Sequence, residues 1–223
     1  MTFEPSIERE GLQRANRFFR LLKALRRFDS SRTVHELDCA IAALSGSNEI
    51  DSQFLSILAS ALRVSKRVGS NWFEMLELFG SLDTRKETIL DADGVMGKLP
   101  SRFERVFRKD DPGSNDDLFA VNEDGSMVQT GSELDLNKDA VRKALGIDAS
   151  EFDSVFELTE LPADQELNVQ NLSKIHRSRV LCDLLDADPQ SLLFAKRLLD
   201  AGDLTDPFAM ESFLEIWAGF SAL

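Results

Sequence analysis

Tyrosine is absent from this chain, and with it goes every acid, base or nucleophile that depends on a phenol. Cysteine and histidine are scarce, with 2 of each. Cys39 and Cys182 lie far apart in sequence and cannot form the disulfide framework that staples small secreted domains. No apolar run reaches the roughly 18 residues that span a bilayer, and the opening MTFEPSIERE lacks the basic-then-apolar order of a signal peptide. Basic residues are outnumbered, 26 Lys and Arg against 39 Asp and Glu, for a net charge of -13. That balance works against nucleic-acid binding, because contacts of Lys and Arg with phosphate supply most of its affinity. GxSxG, HExxH and GxGxxG do not occur either.

What remains is the composition of a globular protein, with 43% hydrophobic and 29% charged residues in 223, enough for one sizeable core or two small ones. The acidity is uneven. From Arg9 to Arg32 eight basic residues accompany only Glu10 and Asp29, a local charge of +6 that leaves -19 for the rest. This stretch predicts a helix from Ser6 to Phe28 with Ala15, Phe18, Phe19, Leu22 and Leu25 on one face and Arg17, Arg20, Lys23 and Arg27 opposite. Such a helix suits an acidic membrane surface, but in a chain this acidic a basic face that is solvated or meets its own protein is the expected outcome.

Thr33 with Glu36 forms a capping box before the stripe Val34, Leu37, Ile41 and Leu44, a third helix follows Asp51, and a fourth stops near Gly80. Residues 83–136 are rich in Gly, Asp, Ser and Asn and predict an irregular connector, with a short helix at SRFERVF and a small hairpin, Leu118 to Val121 against Met127 to Thr130. Helices resume at NKDAVRKALG and at DASEFDSVFELTEL, which Asp148 caps with Glu151 completing a box, and a long one runs from Val169 to Asp186. Asp188 before Pro189 and Asp206 before Pro207 repeat one start signal. The fold class expected is therefore all-α, an array of short packed helices around an irregular central connector. Its parts are a helical unit over 6–82, the connector over 83–136 and a second helical unit over 137–223, which have the option of packing as one domain.

The stretch NLSKIHRSRVLCDLLDADPQSLLFAKRLL gathers reactive residue types, yet helical spacing separates them. Leu172, His176 and Val180 share an apolar stripe, whereas Cys182 is rotated by about 120° and displaced by about 9 Å. A Cys–His nucleophile needs hydrogen-bond reach, so His176 reads as a core or interface ring. His35 and Cys39, four apart, share a face, but structural zinc requires four ligands, so no metal and no cofactor is expected. DADGVMGKLP misplaces the glycine of a calcium loop, GVMGKL lacks the Ser or Thr of a phosphate loop, and the helix after ALGIDASEF is too acidic for a DNA groove.

KALGIDASEFDSVFEL, LNVQNLSKIHRSRVLCDLLDADPQSLLFAKRLL and DPFAMESFLEIW resemble, in order and spacing, a segment of the insecticidal toxin complex A subunit family. NRFFRLLKALRRFDSSRTVHELDCAIAAL, SRFERVF and DLFAVNEDGS resemble its earlier part, so that the likeness covers most of residues 12 to 220. His176 and Phe103 stand where the family usually has tyrosine. The resemblance implies a piece of the helical shell that five A subunits form around a translocation channel. The implied protein is a non-catalytic structural module with Phe103, Phe107, Leu172, His176 and Val180 as packing or interface residues. It further implies other subunits of the assembly as partners, no nucleic acid, membrane contact only through the full assembly, and a secreted or cell-surface location. The chain has about a tenth of the length of a full A subunit, which makes it an excised fragment or a short relative. The alternative is a free-standing acidic helical adaptor or effector for a basic protein.

Overall fold

The computed structural model describes residues 9–45, 49–90, 96–108, 117–129, 131–162 and 165–220. It is all-α in architecture, and the chain divides into two units: Met1–Phe79 together with Asp206–Leu223, and Gly80–Thr205.

In the first unit, α1 (Arg9–Leu25), α2 (Val34–Leu44), α3 (Ser52–Val68) and α4 (Trp72–Phe79) follow one another, and α10 (Pro207–Phe220) joins them from the far end of the chain. The expected start of the first helix at Ser6 lies outside the described residues. The capping box at α2 forms as its spacing requires: the Glu36 N–H donates to Thr33 Oγ1 at 3.1 Å and the Thr33 N–H to Glu36 Oε2 at 3.1 Å. Leu37, Ala40, Ile41 and Leu44 then bury one stripe of this helix. Asp51 opens α3 by accepting the Phe54 N–H at 2.7 Å.

The reading of 137–223 as one helical unit is corrected here, because α10 packs against α3. Met210, Phe213 and Leu214 of α10 are buried. Beside them Ser60 Oγ donates to the Pro207 carbonyl at 3.0 Å and to Glu211 Oε2 at 2.6 Å, and Arg63 Nη2 reaches the same carboxylate at 2.9 Å. Helical periodicity identifies a face to be covered but does not say which helix covers it.

The second unit holds a ribbon of β1 (Glu87–Leu90) and β2 (Met96–Leu99), antiparallel with Glu87 opposite Leu99 and Leu90 opposite Met96. Helices α5 (Arg102–Phe107), α6 (Lys138–Leu145), α7 (Ala149–Leu158), α8 (Val169–Leu185) and α9 (Pro189–Leu198) follow, with a 3-10 turn at Asp135–Asn137. The ribbon lies in the segment read from sequence as loop. The residues between its strands, 91–95, which carry the imitation of a calcium loop, lie outside the described residues. Among the described residues, which leave out Thr130, the expected hairpin is reduced to one bridge, Val121 with Met127, supported by the Asn122 N–H on the Ser126 carbonyl and the Val128 N–H on the Ala120 carbonyl, both at 2.8 Å. Gly125 makes this turn at a φ of 83°, and a Cβ there would stand 2.3 Å from Thr84 Oγ1.

The connector is part of the core. Phe107, Phe119, Met127 and Leu134 from this segment are buried in one cluster with Phe152 and Leu172. The Phe103 and Phe107 rings lie 5.0 Å apart and the Phe107 and Phe119 rings 5.4 Å apart, within the range of favourable aromatic pairs. At the centre is α8, which buries polar as well as apolar residues: Leu172, Ile175, Leu181 and Cys182, but also Asn171, Ser173, Arg177 and Ser178, while Gln170, Lys174 and Asp183 are exposed. Two of its buried polar side chains find partners within the unit, as buried polar atoms require. Ser173 Oγ donates to the Val169 carbonyl at 2.6 Å and accepts the Leu82 N–H at 3.0 Å, and Asn171 Nδ2 donates to the Glu166 carbonyl at 2.8 Å.

Candidate functional site

Three helix ends converge in the second unit. Asp148 caps the start of α7 by accepting the Glu151 N–H at 2.8 Å, and Asp188 caps α9 by accepting the Ser191 N–H at 2.9 Å, with Pro189 at the first helical position. Between them α8 ends at Asp186, a left-handed residue with φ 47° that turns the chain sharply into α9. Aspartate tolerates this conformation better than most side chains. The three ends enclose an open cleft of about 600 Å³.

Five carboxylates line it, Asp148, Glu151, Asp183, Asp186 and Asp188, with Arg179 as the one cation among the lining residues. Arg179 Nη1 lies 2.5 Å from Glu151 Oε1 and 3.2 Å from Asp183 Oδ1, tying α7 to α8. This is where the expected capping box at α7 departs from its sequence pattern: the Glu151 carboxylate bonds to Arg179 of α8. Hydrogen bonds from the Ser191 side chain and backbone hold the Asp188 carboxyl below the ordinary aspartate range.

Cys182 also lines the cleft, but its side chain is buried. Burial, reinforced by Asp183, Glu151 and Asp188 and opposed by Arg179, pushes its thiol up to about 12. Since the thiolate is the nucleophile, only about 1 in 10,000 of these groups is reactive at pH 8. A thiol titration of the native protein at that pH is expected to report one reacting cysteine per chain, Cys39, and the second only after denaturant is added. Prompt reaction of both in the native state would contradict the buried position of Cys182.

The residues singled out from the sequence fall elsewhere. Phe103, Phe107 and Leu172 meet in the core cluster. His176 is buried one turn beyond Leu172, and Val180 is half-buried and lies outside that cluster. On α2 the structure brings His35 and Cys39 together, with Sγ 3.7 Å from Nε2. Among the described residues no group of three or more His, Cys, Asp and Glu side chains is arranged to hold a metal ion.

A second charged cluster escaped the sequence reading. Arg177 and Lys196 are buried, and both act on Asp203. Burial pulls the Arg177 guanidinium below its ordinary value, against the opposing pull of Asp203. Burial pushes Asp203 up, but hydrogen bonds from Thr205 and the nearby Lys196 and Arg177 hold it below the usual carboxylate range. Lys196 also pairs with Glu160 at 3.0 Å. Local patterning gives no signal for such pairs, because their partners are set by the packing of separate helices and turns.

No family model, curated protein or solved structure matches this chain. Among the described residues no helix is long and apolar enough to cross a membrane.

Proposed function

We propose that the chain is a non-catalytic structural and interaction module of the kind from which the helical shell of toxin complex A subunits is built, contributing to cell binding and toxin translocation as part of the whole assembly. The observation that carries this reading is how the reactive residue types around 148–188 are used. Asp148 and Asp188 start helices, Glu151 ties α7 to α8 through Arg179, and Cys182 fills space as a protonated thiol. His176, at a position where the family has tyrosine, is a buried ring on the central helix. Each of these side chains has an architectural role, as expected for a scaffold.

The test is co-expression of the chain with the remaining polypeptide of a toxin complex A subunit. Co-purification in a particle of the size of the intact assembly is the expected result. Failure to associate, or a measurable activity of the chain that His176→Phe abolishes while the fold is retained, would overturn the reading.

A second reading rests on the cleft itself. Five carboxylates beside one guanidinium suit a free-standing adaptor that receives Lys and Arg side chains of a basic protein. Binding of a lysine-rich protein that weakens with salt and is lost in Asp183→Lys would support the adaptor, whereas salt-independent assembly with A-subunit chains would support the shell.

A further inference from the structure

Helix α1 is amphipathic, but the first unit covers only part of its apolar side. Leu22 is buried and Phe18, Leu21 and Leu25 are half-buried, all toward its C-terminal end. Toward the N-terminal end the apolar stripe continues through Leu12, Ala15 and Phe19, at positions i, i+3 and i+7, and stays uncovered. Leu12 is 56% exposed and Phe19 60%, and just past the helix Phe28 is 91% exposed. The Phe19 ring is braced edge-on by Phe18, with centroids 5.6 Å apart. Around the helix axis, Lys23 lies about 40° and Arg20 about 100° from Phe19, while Arg17, at about 160°, is on the far side. All three are exposed.

We infer that α1 lies flat on an anionic lipid bilayer, with Leu12 and Phe19 entering the acyl boundary and Lys23 and Arg20, at the edge of that stripe, on phosphate. A short apolar stripe flanked by Lys and Arg, on a helix of low overall hydrophobicity, is the pattern that binds in the plane of such an interface. At 17 residues the helix is about 25 Å long, and long basic side chains reach up to headgroups from its edges. Charge selects the bilayer as occupant. Residues 9–32 carry +6 while the rest of the chain is strongly acidic, and at physiological salt screening over about 8 Å lets the helix respond to the surface that it touches. The acidic cleft of a second copy would also attract these arginines, but its apolar lining is confined to Ala187, Pro189 and Cys182, a poor match for Phe19. This inference does not rest on the shell reading, which assigns membrane contact to the full assembly.

The test is flotation of the full chain with vesicles of phosphatidylcholine alone and of phosphatidylcholine mixed with phosphatidylglycerol. Binding to the mixed vesicles only is expected, weaker by at least about tenfold in Phe19→Asp, since burying one phenylalanine contributes about 1.5–3 kcal/mol. Arg20→Gln and Lys23→Gln together should weaken it about 30-fold, at about 1 kcal/mol each. Circular dichroism checks the fold of each variant, and Leu12→Gln replaces Phe19→Asp if that protein loses helicity. Absence of vesicle binding, equal binding to neutral vesicles, or binding that survives these variants would overturn the inference. So would self-association, lost in Phe19→Asp, in place of vesicle binding.

Discussion

Phe103→Ala is expected to lower the stability of the second unit by about 4 kcal/mol, the largest effect of any single substitution considered for this chain. Phe103 is fully buried at 0% exposure and its ring sits 5.0 Å from that of Phe107. Truncation removes the transfer free energy of the ring and leaves a cavity that the surrounding side chains fill only in part. Phe103→Leu retains much of the volume and should cost roughly half as much or less. Chemical denaturation followed by far-ultraviolet circular dichroism measures both. A shift below about 1 kcal/mol for Phe103→Ala would mean that this aromatic cluster is not a packed core.

Glu104→Ala is expected to cost about 3 kcal/mol, for a different physical reason. The Glu104 side chain is 6% exposed. Its Oε2 accepts the N–H of Ser101 at 2.9 Å, while its own N–H donates to Ser101 Oγ, so the two residues cap α5 reciprocally. Its Oε1 faces Arg108 Nη1 at 3.2 Å and Lys86 Nζ at 3.5 Å. Removing the carboxylate leaves a buried N–H without its acceptor, which costs more than the bond contributes.

Glu104 also sets a pH dependence whose sign follows from its surroundings. Burial pushes the carboxyl up, but the Ser101 bonds and the charges of Lys86 and Arg108 outweigh it and hold Glu104 below its ordinary value of 4.5. A carboxyl with a depressed folded-state value adds stability that is present above the unfolded value and lost as pH falls through the folded one. The stability difference between the wild type and Glu104→Gln should therefore be largest near neutrality and shrink as pH drops below 4.5. A difference that grows on acidification would show that burial dominates at this site.

How much of this was legible beforehand depends on the distance over which each feature is determined. Helix starts are written within four residues, and Thr33, Asp51, Ser101, Asp148 and Asp188 all accept the backbone N–H expected of a cap. The stripe of α2 is equally local. By contrast α8 buries Asn171, Ser173, Arg177 and Ser178 together with its hydrophobic residues, and periodicity does not mark polar positions as buried. The partnership of α10 with α3 and the pairing of Glu151 with Arg179 depend on which helices meet. Residues 83–136 read as an irregular connector because they are rich in Gly, Asp, Ser and Asn, although Phe107, Phe119, Met127 and Leu134 all enter the core. The cleft is the least legible feature, since its walls are helix ends brought together by turns at Asp186 and Asp188.

The late arrival of α10 has a consequence for the order of events on the ribosome. Arg63 meets Glu211 across 148 positions of chain, and at about 5–20 residues per second synthesis of that interval lasts about 7–30 s. During this time the entire second unit emerges while the α3 face that α10 will cover stands open. Closing the first unit therefore waits for α10, and a nascent chain stalled before Pro207 presents that uncovered face to whatever it meets.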